Sequence, residues 1–256
     1  MKKIIFIMAF IAIGFTQSAS AWGRIGHDAI AALAERNLTP KAKKTIEKYI
    51  GHSIICDASW MDQFRNSQGY EMTTRWHMGT VDADLQSTDA IRQPLGDCVE
   101  ELENAIMRLK NYKEYHDSTV AVNIKYIIHL VGDMHCPSHI RYGGHKYKVR
   151  NLTLFGKKNN YHKIWDSSVL EANHGWSCTE YAEILDRATK KEKKAIVAGT
   201  PAEWFHDSAK SCQVIYEWAE SNDKLGRNFV NGARDLTLDQ ITKAGYRLAH
   251  VLNELF

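Results

Sequence analysis

The sequence has little charge of either sign to spare. Its 33 basic residues stand against 30 acidic ones, and two of the basic ones, Lys2 and Lys3, fall in a segment expected to be removed. A near-neutral chain has no global field for a polyanion, so any such ligand must be caught by a local site. No apolar run is long enough to span a bilayer, which argues against a membrane anchor, an uncleaved leader being the alternative. No C-x-x-C pair occurs among the five cysteines, which argues against a thiolate zinc knuckle. An odd cysteine count allows two disulfides at most and does not tell the pairing. The chain also lacks internal repeats, linkers and low-complexity tracts, so it reads as one domain.

What is present begins with a leader. Lys2 and Lys3 precede an apolar stretch from Ile4 to Phe15, and Ala19-Ser20-Ala21 is an A-x-A cleavage sequence. Residues 1–21 are therefore expected to be a signal peptide. Residues 22–256 are the mature domain, secreted or periplasmic, with Trp22 as its first residue. The periodicity along that domain is helical nearly throughout, which predicts a mainly α, multi-helix fold.

Local signals place the elements. Thr39 before Pro40 opens a helix that stops near Gly51. Asp57 is expected to cap a short helix carrying Trp60, Asp62 and Arg65, and residues 71–95 read as irregular. Asp97 opens a helix to about Tyr112, and Ser118 is expected to cap the next one. Ser177–Glu180, Thr189–Glu192 and Thr200–Glu203 are capping boxes, and Thr237–Gln240 is expected to open the last helix, with Ile241, Ala244, Leu248, Val251 and Leu255 on its buried side. Gly143-Gly144 reads as a turn and Lys146–Phe155 as one strand of a short β-hairpin. The lysines of 190–194 read as a solvated face.

The chemistry concentrates in IIHLVGDMHCPSH, Ile127 to His139. His129 and Asp133 are four residues apart, on one face of a helix about one turn from each other. Pro137 ends that helix and His139 follows in the turn. His162 and Asp166 repeat the H-x-x-x-D spacing. His77, Asp62 and His27 extend the set upstream. These five histidines and three aspartates exceed what one zinc ion takes, so two or three clustered metals are implied, with Asp133 able to bridge two. Clustered zinc suits phosphoryl chemistry.

The pattern W-G-x-x-G-H at Trp22–His27, A-S-W-x-D-x-x-R at Ala58–Arg65, W-H at Trp76-His77, H-L-V-G-D-M-x-x-P-x-H at His129–His139 and N-x-H-x-x-W-D at Asn160–Asp166 resembles the zinc-dependent single-strand-specific nucleases and 3′-nucleotidases of fungi, plants and bacteria. GYRLAHVLNEL, Gly245–Leu255, is similar to that family's last helix. The resemblance implies a phospholipase C/nuclease-like fold and three Zn²⁺ ions. Asp62, His77 and His129 would hold one; the amine and carbonyl of Trp22, with His27, a second; His139, His162 and Asp166 the third; and Asp133 would bridge the first two. Arg65, with Asp62 and Asp133, joins the catalytic set by neutralising charge on the phosphate, where the plainer expectation is a surface ion pair with Asp62. The implied substrates are single-stranded DNA and RNA and 3′-nucleotides, cut to 5′-phosphate products. Met78 stands where the fungal relatives stack an aromatic ring on the base. His145 falls in a substrate loop, where a solvated hairpin histidine is the simpler reading. A Cys98–Cys212 disulfide is a further implication. The alternative is the related zinc-dependent phospholipase C, which the close Trp22–His27 spacing and Asp166 in place of glutamate disfavour.

Overall fold

The computed structural model describes residues 22–85, 91–143 and 151–256. The leader (1–21), half of the expected hairpin strand (146–150), Gly144 and His145 lie outside the described residues. Helices α1 (Arg24–Arg36), α2 (Pro40–Ile50), α3 (Trp60–Phe64), α4 (Cys98–Leu109) and α5 (Asp117–Asp133) form the first half. The second half contains α6 (Tyr161–Lys163), α7 (Val169–Asn173), α8 (Cys178–Leu185), α9 (Lys190–Ile196), α10 (Pro201–Cys212) and α11 (Arg227–Leu255). Short strands β1 (Gly79–Val81), β2 (Ile140–Tyr142), β3 (Asn151–Leu154), β4 (Lys157–Asn160) and β5 (Lys224–Leu225) complete a mainly α architecture. Among the described residues no helix is long and apolar enough to cross a membrane.

α5 is the axis. Ile124, Ile127, Ile128, Leu130 and Val131 are all buried, and the helix packs against α1, α2, α3, α4 and α11. It is apolar nearly all round because it is enclosed nearly all round. Its start differs from expectation. The His116 imidazole, not Ser118, caps it by accepting from the Ser118 backbone N–H.

The other termini are where capping chemistry puts them, with two exceptions. The Thr39 hydroxyl accepts from the Ala42 N–H and α2 ends at Gly51, φ 79°. The boxes at Ser177, Thr189 and Thr200 are reciprocal, and α9 buries none of its residues. Asp97 accepts from both Val99 and Glu100 N–H groups. Asp57, by contrast, caps nothing. It belongs to a 3₁₀ turn, Ile54–Asp57, and its carboxylate pairs with Lys125 at 3.1 Å and His52 at 3.2 Å. Nor does Thr237 open a helix. It lies mid-way along α11, fully buried, with its hydroxyl donating to the Ala233 carbonyl at 2.9 Å. The helix extends N-terminally because Ala233 packs into a second apolar cluster with Ile164, Trp165, Val169 and Ile215. A cap signature is overridden when the preceding turn has an apolar face to bury.

The stretch expected to be irregular contains a 3₁₀ turn, Glu71–Arg75, and β1. β1 pairs in parallel with β2, Gly79 opposite Ile140. A Cβ on Gly79 would lie 2.5 Å from the Phe205 ring, so only glycine fits there. The hairpin is β3 with β4, antiparallel, closed by Phe155 and Gly156 at φ 50° and 75°. Two positive φ values make the type I′ turn that suits strand twist.

Candidate metal centre

α1, α3, the residues just before β1 and β2, and the segment after β4 deliver ligating atoms around the C-terminal end of α5. His129 and Asp133 face inward one turn apart, both fully buried. Between them Gly132 leaves room for a neighbour: a Cβ there would lie 2.7 Å from the His27 ring. His27, on α1, therefore stacks on His129 with ring centroids 4.0 Å apart. The two oxygens of Asp133 face different partners. Oδ1 lies 3.4 Å from His27 and 3.7 Å from His139, while Oδ2 lies 2.8 Å from His77 and 3.3 Å from His129.

The β1–β2 pairing explains how His77 and His139 meet. Each sits just before the start of its strand, so parallel pairing sets them side by side, and the His139 Nδ1–H donates to the His77 carbonyl at 2.6 Å. That bond aims His139 Nε2 at Asp166 Oδ1, 3.6 Å away. His129 is oriented in the same way by donating from Nδ1 to the Ala58 carbonyl at 2.8 Å. Backbone carbonyls that hold one imidazole nitrogen commonly set the other for a cation.

Asp62 arrives on α3, with Oδ1 3.8 Å from His77 and Oδ2 3.9 Å from His129. Arg65 follows one turn on, 3.4 Å from Asp62. The pair forms, but it is no surface pair, because Arg65 is 8% exposed. A guanidinium kept dry beside a carboxylate–imidazole cluster is placed to meet an anion there.

The far side is built on a widened turn. A π-helical segment, Ile164–Ser168, interrupts the run from α6 to α7, a distortion frequent at functional sites. It presents Asp166, whose Oδ2 lies 3.0 Å from His162. His162 stacks on His139 at 4.9 Å. Ser138 donates to Asp166 Oδ1 at 2.8 Å and the Cys136 thiol does so at 3.4 Å. The Gly23 N–H donates to the Asp166 carbonyl at 2.6 Å, so Trp22, itself fully buried, is held against this segment.

Three triads have ligand atoms within 4.8 Å of one another: His27, His129 and Asp133; Asp62, His77 and His129; Cys136, His139 and Asp166. Both nitrogens of His27, with His77 Nε2, His139 Nε2, Asp62 Oδ1 and Asp133 Oδ1, are buried without a hydrogen-bond partner. Such groups cost about 1–3 kcal/mol each when unmet. Their convergence on shared points fits cations. Protonation agrees. Burial keeps His27 below its ordinary value and lowers His139 to about 3, so both are neutral donors. Burial opposes the charge on Asp133, but His129 and His77 outweigh it and hold the carboxyl well below its usual range. Burial lifts Asp166 to about 6. Burial also pulls on His129, yet Asp133 raises it to about 9, and a cation would displace that proton.

Two residues were not singled out from the sequence. Cys136 joins the Asp166 triad, although its place inside the Ile127–His139 stretch was a signal. Arg141, on β2, donates to the Met78 sulfur at 3.0 Å, so a guanidinium covers the position beside His77 where a stacking ring was expected to be missing. The Cys98–Cys212 disulfide is a correction: both are free thiols. The Cys98 sulfur packs beside Gly79 and the Phe205 ring, and Cys212 is two helical turns beyond Phe205, roughly 10 Å along α10.

The chain is also similar in sequence to known proteins over most of its length. The sequence model of the S1/P1 nuclease family matches residues 22–256. Nuclease P1 of Penicillium citrinum is 25% identical over 275 residues, covering 91% of this chain and 97% of that protein. Endonuclease 2 of Arabidopsis thaliana is 24% identical, covering 92% and 90% respectively. Nuclease S1 of Aspergillus oryzae is 22% identical, covering 93% and 92%.

Proposed function

The chain belongs to the S1/P1 nuclease family, and we propose that it is a zinc-dependent enzyme hydrolysing single-stranded DNA and RNA, and 3′-nucleotides, to 5′-phosphate products. The observation that carries this reading is Asp133, whose two carboxylate oxygens address two sets of imidazoles in a dry cluster, with Arg65 buried alongside. Three zinc ions suit the donor set. Asp62, His77 and His129 would hold one. His27 and Trp22, through its amine and carbonyl, would hold another, with Asp133 shared between the two. His139, His162 and Asp166 would hold the third, within reach of Cys136. When bound, clustered zinc supplies a water-derived nucleophile at neutral pH and offsets phosphate charge.

The protein's own groups do the rest. Arg65 grips non-bridging phosphate oxygens with paired donors and is kept in place by Asp62. The Ala58 and His77 carbonyls hold His129 and His139 in the ligating tautomer. A recessed site of this kind favours a strand whose bases are already unstacked.

The same reading makes the protein secreted or periplasmic and gives its leader a second role. While Ala21 is attached, the Trp22 nitrogen is an amide without an available lone pair. Cleavage after Ala21 would free an amine that a cation can deprotonate. An otherwise identical protein carrying one extra residue before Trp22 should keep its helicity but lose zinc and cleavage. Equal zinc and activity would remove Trp22 from the ligand set.

The deciding experiment assays the zinc-loaded protein on single-stranded DNA, RNA, 3′-AMP and a phosphatidylcholine analogue, with elemental analysis alongside. Cleavage of the nucleic acids and 3′-AMP is expected. Turnover of the lipid analogue alone would make the protein a phospholipase C, and turnover of none would make it a metal store.

A further inference from the structure

A cavity of about 580 Å³ opens far from the metal centre, against the N-terminal end of α5. Lys44 and Lys48, one turn apart on α2, line one side; Lys113 and Tyr112, from the 3₁₀ turn that precedes α5, line the other. Tyr49 and Tyr115 complete an aromatic wall, and the lone acidic group in the lining is Asp117. All three lysines are exposed. Among the described residues none of them takes part in a salt bridge, whereas Lys125, Lys193 and Lys243 are each committed to a carboxylate. Instead Lys48 sits 4.9 Å from the Tyr49 ring and Lys113 5.9 Å from the Tyr112 ring. Tyr49 and Tyr112 meet edge to face at 5.9 Å, so their positions are set by packing while Tyr115 is 43% exposed.

In a chain of near-neutral charge this is a local concentration of uncommitted cations beside aromatic faces. That combination takes a phosphate on the lysines and a base against a ring, the usual means of holding single-stranded nucleic acid without reading its sequence. Asp117 to Asp133 is the full length of α5, so the cavity lies roughly 24 Å along the helix from the metal cluster. Between the two, Lys125 of α5 lies 5.0 Å over the Trp60 ring. Trp60 stacks on the exposed Phe64 at 4.9 Å, next to Arg65.

We infer that the cavity lined by Lys44, Lys48, Lys113 and Tyr115 is a second binding site for single-stranded substrate, engaging nucleotides remote from the scissile bond. The inference rests on the nuclease reading, and it predicts a length preference: long strands gain from both sites, short ones from the metal centre alone.

The test compares the zinc-loaded wild type with a K44E/K48E/K113E variant and with Tyr115→Ala, helicity being checked for each. Binding is read by anisotropy with a phosphorothioate-linked thymidine twenty-mer. Cleavage is read with the unmodified twenty-mer and with a dinucleoside monophosphate, and 5′-AMP is titrated as a competitor. The triple variant should bind the twenty-mer about tenfold more weakly at low salt, with a salt slope shallower by about 2. Its kcat/KM on the twenty-mer should fall in parallel while that on the dinucleotide stays within twofold. Tyr115→Ala should show a smaller loss in the same direction. Unchanged twenty-mer binding would overturn the site, and so would an equal fall on the dinucleotide. Competition by 5′-AMP at the cavity, with twenty-mer cleavage untouched by the triple variant, would make it a free-nucleotide site and overturn the strand assignment. A wild type that cleaves neither substrate would defeat the nuclease reading, while anisotropy would still report on the cavity.

Discussion

Among the described residues, histidines of the HLVGDMH stretch serve two buried polar clusters, and these differ in how completely their atoms are paired. The second is centred on His135, six residues after His129 and equally buried. Its Nδ1–H donates to the Val131 carbonyl at 2.7 Å and its Nε2 accepts from Arg247 at 2.8 Å. Arg247 also donates to the Ile196 carbonyl and to Asp207, each at 2.9 Å. Burial and the adjacent guanidinium hold His135 well below its ordinary value, so it is neutral and saturated. Around His129, by contrast, imidazole and carboxylate atoms converge and lack partners. A saturated cluster spends its polar groups on holding helices together; an unsaturated one keeps them for a ligand.

Substitutions can separate the two. Asp133→Asn should have the largest effect. Cleavage should fall by about 10³-fold or more, and elemental analysis should find more than one zinc lost. Asp166→Asn should lose one, and equal losses would remove the shared role of Asp133. Arg65→Ala comes next, lowering kcat by about 10²-fold with full zinc. An unchanged kcat would return Arg65 to a structural pairing with Asp62.

Arg247→Ala attacks the other cluster. It strips His135 and Asp207 of a partner and should cost about 2–3 kcal/mol, a Tm lower by roughly 4–12 °C. Zinc per chain should not change, and its loss would merge the two clusters into one. Ser138→Ala is the mildest. It removes one hydrogen bond to Asp166 and should weaken the affinity for one zinc by about tenfold, with little change in Tm. A fall in stability without a change in affinity would place Ser138 with the saturated cluster.

Local signals carried far in this chain because many of its elements are specified locally. The boxes at Ser177, Thr189 and Thr200 close as their spacing demands, and His129 and Asp133 lie on the one face that helical geometry requires. Local signals failed where distant atoms outbid them. Asp57 looks like a cap but is taken by Lys125 and His52. Thr237 looks like a start but lies inside α11, which continues N-terminally because Ala233 packs against Trp165 and its neighbours. The Cys98–Cys212 bridge is implied by the family resemblance and by no local signal, and both cysteines are free thiols.

Residue spacing along the chain was enough for the helical class and for the run of α5 to its inward-facing His129 and Asp133, and the motifs carried the resemblance to the family. Packing in three dimensions was needed to pair Gly79 beside Ile140 and so bring His77 to His139, to admit the His27 ring at Gly132, to join Cys136 to Asp166, and to make His135 structural. Those outcomes depend on contacts between residues distant in the chain. In such contacts burial and hydrogen-bond satisfaction, rather than local periodicity, set the free energy.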